Sequence, residues 1–193
     1  LGITLFSSPF DESAVDLLES LNTPAYKIAS FEITDLPLIR YAASKQKPML
    51  ISTGMANINE IKEAINCCKE QGNNKILIFH CISKYPAEIL DYQLGDINFL
   101  KKEFNVEIGL SDHTVSNLAC LGAVANGAVI LERHFTDTKD RQGPDIINSM
   151  TPIELKRLRT DTEIMFQMRG GSKEKEIKEE DGIRDFAFAT VVA

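Results

Sequence analysis

Two of the three histidines in this chain stand where chemistry could be done. His113 follows the apolar run Val106 to Leu110, and His134 follows Ala128 to Leu131, with a helical stretch at about 117–125 between them. Two apolar strands joined by one helix form a β–α–β unit, whose strands run parallel and end on the same face. Such strand ends are where α/β enzymes bind ligands. Two imidazoles meeting there could hold a divalent metal and leave coordination positions open for substrate. A lone strand-end histidine is more often a hydrogen-bonded structural residue; a pair at consecutive strand ends shifts that reading. His80 differs, because it lies within the apolar run 76–81 and suits packing behind a site better than metal binding.

Other strand ends carry polar groups of one kind. Lys27 lies in the segment 25–30, where a buried ammonium is costly unless an anion accompanies it. Ser8, Ser30, Ser52, Ser83 and Ser111 each stand at or just past a strand end. Singly, such serines serve as turn formers or helix caps. Several around one mouth, beside a lysine, suggest a cradle for an oxyanion. Glu32 fits either a first-turn helix acid favoured by the dipole or a catalytic carboxylate.

The elements that must position these groups follow a rhythm of short apolar strand, polar strand end and amphipathic helix, which predicts a parallel sheet with crossover helices. Strands are expected at 3–6, 25–28, 48–51, 75–80, 106–110 and 128–132. Asp11 should cap a helix with Val15, Leu18 and Leu21 inward, and Asn57 one with Ile58, Ile61, Ile65 and Cys68 inward. Pro37 suits the first turn of a helix at 36–43, and a last helix should run from Thr151 to about Met168, stopped at Gly170 and Gly171. No GxGxxG follows the first strand, as a Rossmann sheet would require. Reactive residues spread over nearly every strand end favour a (β/α)8 barrel. The barrel needs eight strands and about six are found, so the chain should supply roughly strands 3–8 of a TIM barrel, beginning within a strand.

Composition bounds the function. With 193 residues, 44% hydrophobic and 25% charged, the chain can bury a core. Its net charge of −7 argues against a nucleic-acid surface. The four cysteines lack CxxC spacing and suit reduced thiols of a cytoplasmic protein, and no apolar run approaches the ~20 residues of a membrane span. The charged segment 172–184 fits an exposed linker.

Taken together, the segments Lys27 to Glu32, Ser52 to Met55, His80 to Pro86, Gly109 to Thr114 and Glu132 to Thr136 resemble the sialic acid synthase family, in order and spacing. Residues 131–150, with Gly143, Pro144 and Asp145, are most similar to bacterial N-acetylneuraminate synthases, while Phe31 is similar to the pseudaminic acid branch. Residues 185–193 resemble the entry to that family's C-terminal antifreeze-like (SAF) domain, leaving 1–171 as a partial barrel domain. The resemblance implies a cytoplasmic transferase of sialic acid, and so capsule polysaccharide, biosynthesis. It would condense phosphoenolpyruvate with N-acetylmannosamine to N-acetylneuraminate and phosphate by C–O cleavage, using Mn2+ or Mg2+. It implies that His113 and His134 hold the metal and that Ser8, Lys27, Ser30, Ser52, Ser83 and Ser111 surround phosphoenolpyruvate. It further implies that Tyr85 and Asp145 face the amino sugar, that Glu32 orients or deprotonates the attacking water, and that the full-length protein is a domain-swapped homodimer. This chain alone would lack parts of both substrate pockets. The alternatives are a pseudaminic or legionaminic acid synthase, a Schiff-base aldolase using Lys27, and a non-catalytic binding module.

Overall fold

The computed structural model describes residues 2–170. Five parallel strands, β1 (Tyr26–Ile28), β2 (Met49–Ser52), β3 (Ile76–Cys81), β4 (Glu107–Asp112) and β5 (Leu131–Arg133), form one sheet in the order of the chain. Six helices accompany them: α1 (Glu12–Ser20), α2 (Leu36–Ser44), α3 (Ile58–Glu70), α4 (Asp96–Phe104), α5 (Leu118–Ala125) and α6 (Pro152–Met168). Four of the starts have a side-chain cause. Asp11 and Asp35 accept from backbone N–H groups of α1 and α2, Pro37 sits in the first turn of α2, and Asn57–Glu60 and Thr151–Glu154 form reciprocal capping boxes on α3 and α6.

Strand alternation sorts the side chains onto two faces. Ile28, Ile51, Ile78 and Ile108 lie side by side in register and are fully buried against the helices, within a core that includes Ile39, Ile61, Ile65 and Ile97. The opposite face carries a small apolar cluster of Ala25, Leu50 and Phe79, with Leu77 and Ile130 partly buried beside it. Above that cluster, on the same parity, come Lys27, Ser52, Cys81, Ser111 and Glu132. Neighbouring strands are ~4.8 Å apart, so β1 and β5 would lie ~19 Å apart in a flat sheet. Lys27 Nζ of β1 and Glu132 Oε1 of β5 are 3.0 Å apart. The sheet is therefore curled towards a barrel, and the sequential order excludes the strand reversal of a Rossmann sheet.

Several expectations need correction. Residues 3–6 form no strand: Ile3 and Leu5 are exposed, and the only pairing there is a single bridge from Ser7 to Tyr26. A strand needs a lateral partner, which an apolar pattern does not supply, so the described residues form five strands rather than six. Leu21 is 70% exposed because α1 ends at Ser20, and Ile58, at the first position of α3, is also exposed. Helix α4 has no counterpart among the expectations. The linker at 172–184 and the SAF start at 185–193 lie outside the described residues.

Candidate active site at the strand ends

At the C-terminal ends of the strands a cavity of about 380 Å³ is lined by Phe6, Ser7, Ser8, Lys27, Ser111, His113, Glu132, Arg133 and His134. Lys27, a buried residue, is the anchor of one wall. Its ammonium pairs with Glu132, lies 5.1 Å from the centre of the Phe79 ring, and so has the anionic company that its burial requires. Ser111 Oγ donates to the same Glu132 oxygen at 2.8 Å. Glu132 was not among the predicted site residues, although its signal was available: it stands two residues before His134 in an extended segment and so shares its face.

The two histidines meet here, with ring centroids 5.4 Å apart. His113 Nδ1 lies 2.7 Å from the carbonyl oxygen of Ile82, which can only accept. A proton on Nδ1 satisfies that carbonyl, and in the corresponding neutral tautomer Nε2 carries the lone pair, the arrangement usual for a metal-binding imidazole. Tyr92, a second residue not predicted, bridges the end of β4: its hydroxyl donates to the Ser111 carbonyl (3.0 Å) and accepts from the His113 N–H (2.9 Å). Burial holds the Tyr92 phenol well above its ordinary value and keeps this donor protonated. His134 Nδ1 faces Asp145 Oδ2 at 3.7 Å. Burial holds the His134 imidazole below its ordinary value, which favours the neutral form that ligates metals. Tyr85 stacks on His113 at 4.0 Å between ring centres and stands edge-on to His134 at 5.6 Å. Two imidazoles bound side by side to one ion at ~2.1 Å would have centres ~5 Å apart, so the pair fits a divalent metal. Among the described residues no group of three or more His, Cys, Asp or Glu side chains is placed to hold one. Among side chains of these types, the histidine pair is what this cavity could offer an ion.

Ser30, Ser52, Ser83 and Glu32 do not line this cavity. Ser30 Oγ accepts from Gly54 N–H (3.1 Å) and contacts Cys81 Sγ (3.6 Å), which is itself 4.0 Å from His113 Nδ1. Gly54 is required by this packing, since a Cβ there would lie 2.8 Å from Ser30 Oγ and overlap Ser83 Oγ. Ser52 Oγ, Ser83 Oγ and Glu32 Oε2 are buried without a hydrogen-bond partner, which leaves three polar atoms at the strand ends free to serve a ligand. Burial also raises the Glu32 carboxyl above its ordinary value. His80 stands apart on the helix-facing side of β3, edge-on to Tyr92, as its place in the apolar run predicts.

A model of the NeuB family matches residues 1–174. The chain belongs to the NeuB family. It is 46% identical over 150 residues to the pseudaminic acid synthase of Helicobacter pylori, covering 78% of this chain and 44% of that protein. It is 41% identical over 162 residues to the N,N'-diacetyllegionaminic acid synthase of Legionella pneumophila, covering 82% of this chain and 46% of that protein. The crystal structure of the N-acetylneuraminic acid synthetase of Leptospira borgpetersenii, in complex with citrate, superposes with a TM-score of 0.89 at 32% identity, over 97% of this chain and 65% of that one. The chain spans about half the length of the curated relatives it matches. Relatives naming different sugar products are about equally similar to this NeuB chain, so overall similarity does not single out the neuraminate branch.

Proposed function

We propose that this chain forms the phosphoenolpyruvate-binding and aldehyde-activating part of an enzyme that joins phosphoenolpyruvate to N-acetylmannosamine, releasing phosphate. Pseudaminic or legionaminic acid synthesis, from the corresponding diacetylated sugars, is the alternative that the relatives' names support equally. The observation that carries the reading is the convergence of Lys27, Ser111, His113 and His134 on one cavity at the strand ends.

His113 and His134 would hold Mn2+ or Mg2+, which supplies Lewis acidity to an aldehyde oxygen when bound. Lys27 and the hydroxyls of Ser8, Ser30, Ser52, Ser83 and Ser111 bind the phosphate and carboxylate, since charged and hydroxyl donors are what such an anion requires. Ser52 and Ser83 suit this because their Oγ atoms have no other partner. Tyr85 and Asp145, beside the two imidazoles, face the sugar hydroxyls. C3 of phosphoenolpyruvate forms a carbon–carbon bond to the aldehyde carbon, and the aldehyde oxygen takes a proton from solvent water to become a hydroxyl. Water adds to the electron-poor C2 and gives one proton to Glu32. The C2 hydroxyl then passes its remaining proton to the departing phosphate as its oxygen becomes the ketone, and phosphate leaves with the electrons of the broken C–O bond. A Schiff-base aldolase is less well supported, because Lys27 is ion-paired rather than isolated in an apolar pocket.

The test is phosphate release by the full-length protein from phosphoenolpyruvate plus each of the three amino sugars, with and without Mn2+. We expect release that needs the ion, selects one sugar, and falls roughly 1000-fold or more in His113→Ala. Release indifferent to both chelation and His113→Ala would refute the mechanism.

A further inference from the structure

On the side of β4 and β5 that faces the helices, one residue before each histidine, lies a second polar cluster. Asp112 and Arg133 are register partners, the last pair of the β4–β5 ladder. Their side chains form an ion pair at 3.1 Å and are 0% and 2% exposed. The Nε of that contact makes no hydrogen bond, and the guanidinium donates instead to Asn117 Oδ1 at the start of α5 (2.5 Å), to the Thr114 carbonyl (2.7 Å) and to the Asn148 carbonyl (3.4 Å). Asp112 accepts from Thr114 N–H (2.9 Å), Thr114 Oγ1 (3.2 Å) and Cys120 Sγ (3.4 Å). The chain leaving β4 past His113 is therefore pinned at Thr114 and Asn117. The segment that returns beside His134 is pinned at Asn148, and Met150 N–H donates to the His134 carbonyl at 2.8 Å.

Stability alone does not account for this arrangement. A buried ion pair gives up two hydration shells, and an apolar pair of similar volume usually holds strands together as well or better. An apolar pair has no directional grip on loop carbonyls, however, whereas the five donors of a guanidinium form a rigid fork. Since alternate residues of a strand point to opposite faces, fixing Asp112 and Arg133 outward fixes the backbone from which His113 and His134 project inward. We infer that Asp112 and Arg133 are positioning residues that set the separation of the two imidazoles, and so the affinity of the histidine pair for a divalent ion. The inference rests on the metal-binding role proposed for those histidines.

The test uses the full-length protein and Mn2+ alone, with three readouts: the Kd by calorimetry, the paramagnetic resonance spectrum of the bound ion, and the thermal midpoint. Asp112→Leu combined with Arg133→Leu should unfold close to the wild-type temperature yet bind Mn2+ about 10- to 100-fold more weakly, with a broadened spectrum. Arg133→Lys keeps a charge opposite Asp112 but loses the fork, and should weaken binding about 10-fold without unfolding. A folded variant of either kind with wild-type Kd and spectrum would overturn the inference, and so would failure of both to fold, which would make the pair a requirement of the fold. Failure of the wild-type protein to bind Mn2+ would instead overturn the metal-binding reading beneath it.

Discussion

On the convex face of the sheet, Ile28, Ile51, Ile78 and Ile108 form an unbroken row with no solvent access; on the concave face the buried apolar layer is only Ala25, Leu50 and Phe79 before lysine, serine and glutamate take over. The same strands thus supply both, two residues per period. Stability is concentrated on one side and reactivity on the other, so substitutions on the two faces should fail in different assays.

The largest effect expected of this separation is on stability. Ile78→Ala should lose about 2–5 kcal/mol in urea unfolding, because its cavity would sit in the packed row, while phosphate release per folded molecule stays unchanged. A comparable loss in an inner-face variant would break the distinction. Next comes Gly54→Ala, whose Cβ would overlap Ser83 Oγ and displace Ser30. A misplacement of about 1 Å at such a cradle should lower kcat/KM for phosphoenolpyruvate roughly 100-fold. Ser52→Ala removes a hydroxyl with no protein partner. We expect KM for phosphoenolpyruvate to rise roughly 10-fold or more, from loss of a hydrogen bond to a charged group, with no change in thermal midpoint.

The smallest effect concerns pH. Burial raises the Glu32 carboxyl above its ordinary value of 4.5, so its protonated form favours the fold. That stabilisation is full below 4.5 and is lost as pH rises through the folded value. Glu32→Gln, which copies the neutral form, should be more stable than wild type at about pH 8, with the gap closing as pH falls towards the unfolded value. A gap that is constant with pH would show that Glu32 is solvated after all.

Much of the architecture was legible because continuous apolar runs mark strands covered by helices, and all five observed strands fall at expected runs. Helix α4 was missed, although Ile97, Leu100 and Phe104 stand at helical spacing. Residues 3–6 were misleading because an apolar pattern records hydrophobicity and not the presence of a neighbour. In the site, Lys27 announced a buried anion by its surroundings, and strand parity would have identified it as Glu132. Tyr92 was not accessible that way: it reaches Ser111 and His113 from a loop, and loop paths follow from tertiary packing. The placement of Tyr85 and Asp145 around the histidines was legible only through family resemblance, for the same reason.

The contact between Lys27 and Glu132 joins residues 105 apart in the chain. Closing so long a loop is entropically costly, and contacts of that span form late, after local helices and neighbouring strands are in place. The mouth of the cavity is therefore completed near the end of folding, when the intervening β/α units have already docked. Chains that pause before that step would carry Ile51, Ile78 and Ile108 packed in register but no working site. In pulse-labelling hydrogen exchange, amides of β2, β3 and β4 should gain protection before those flanking Lys27 and Glu132.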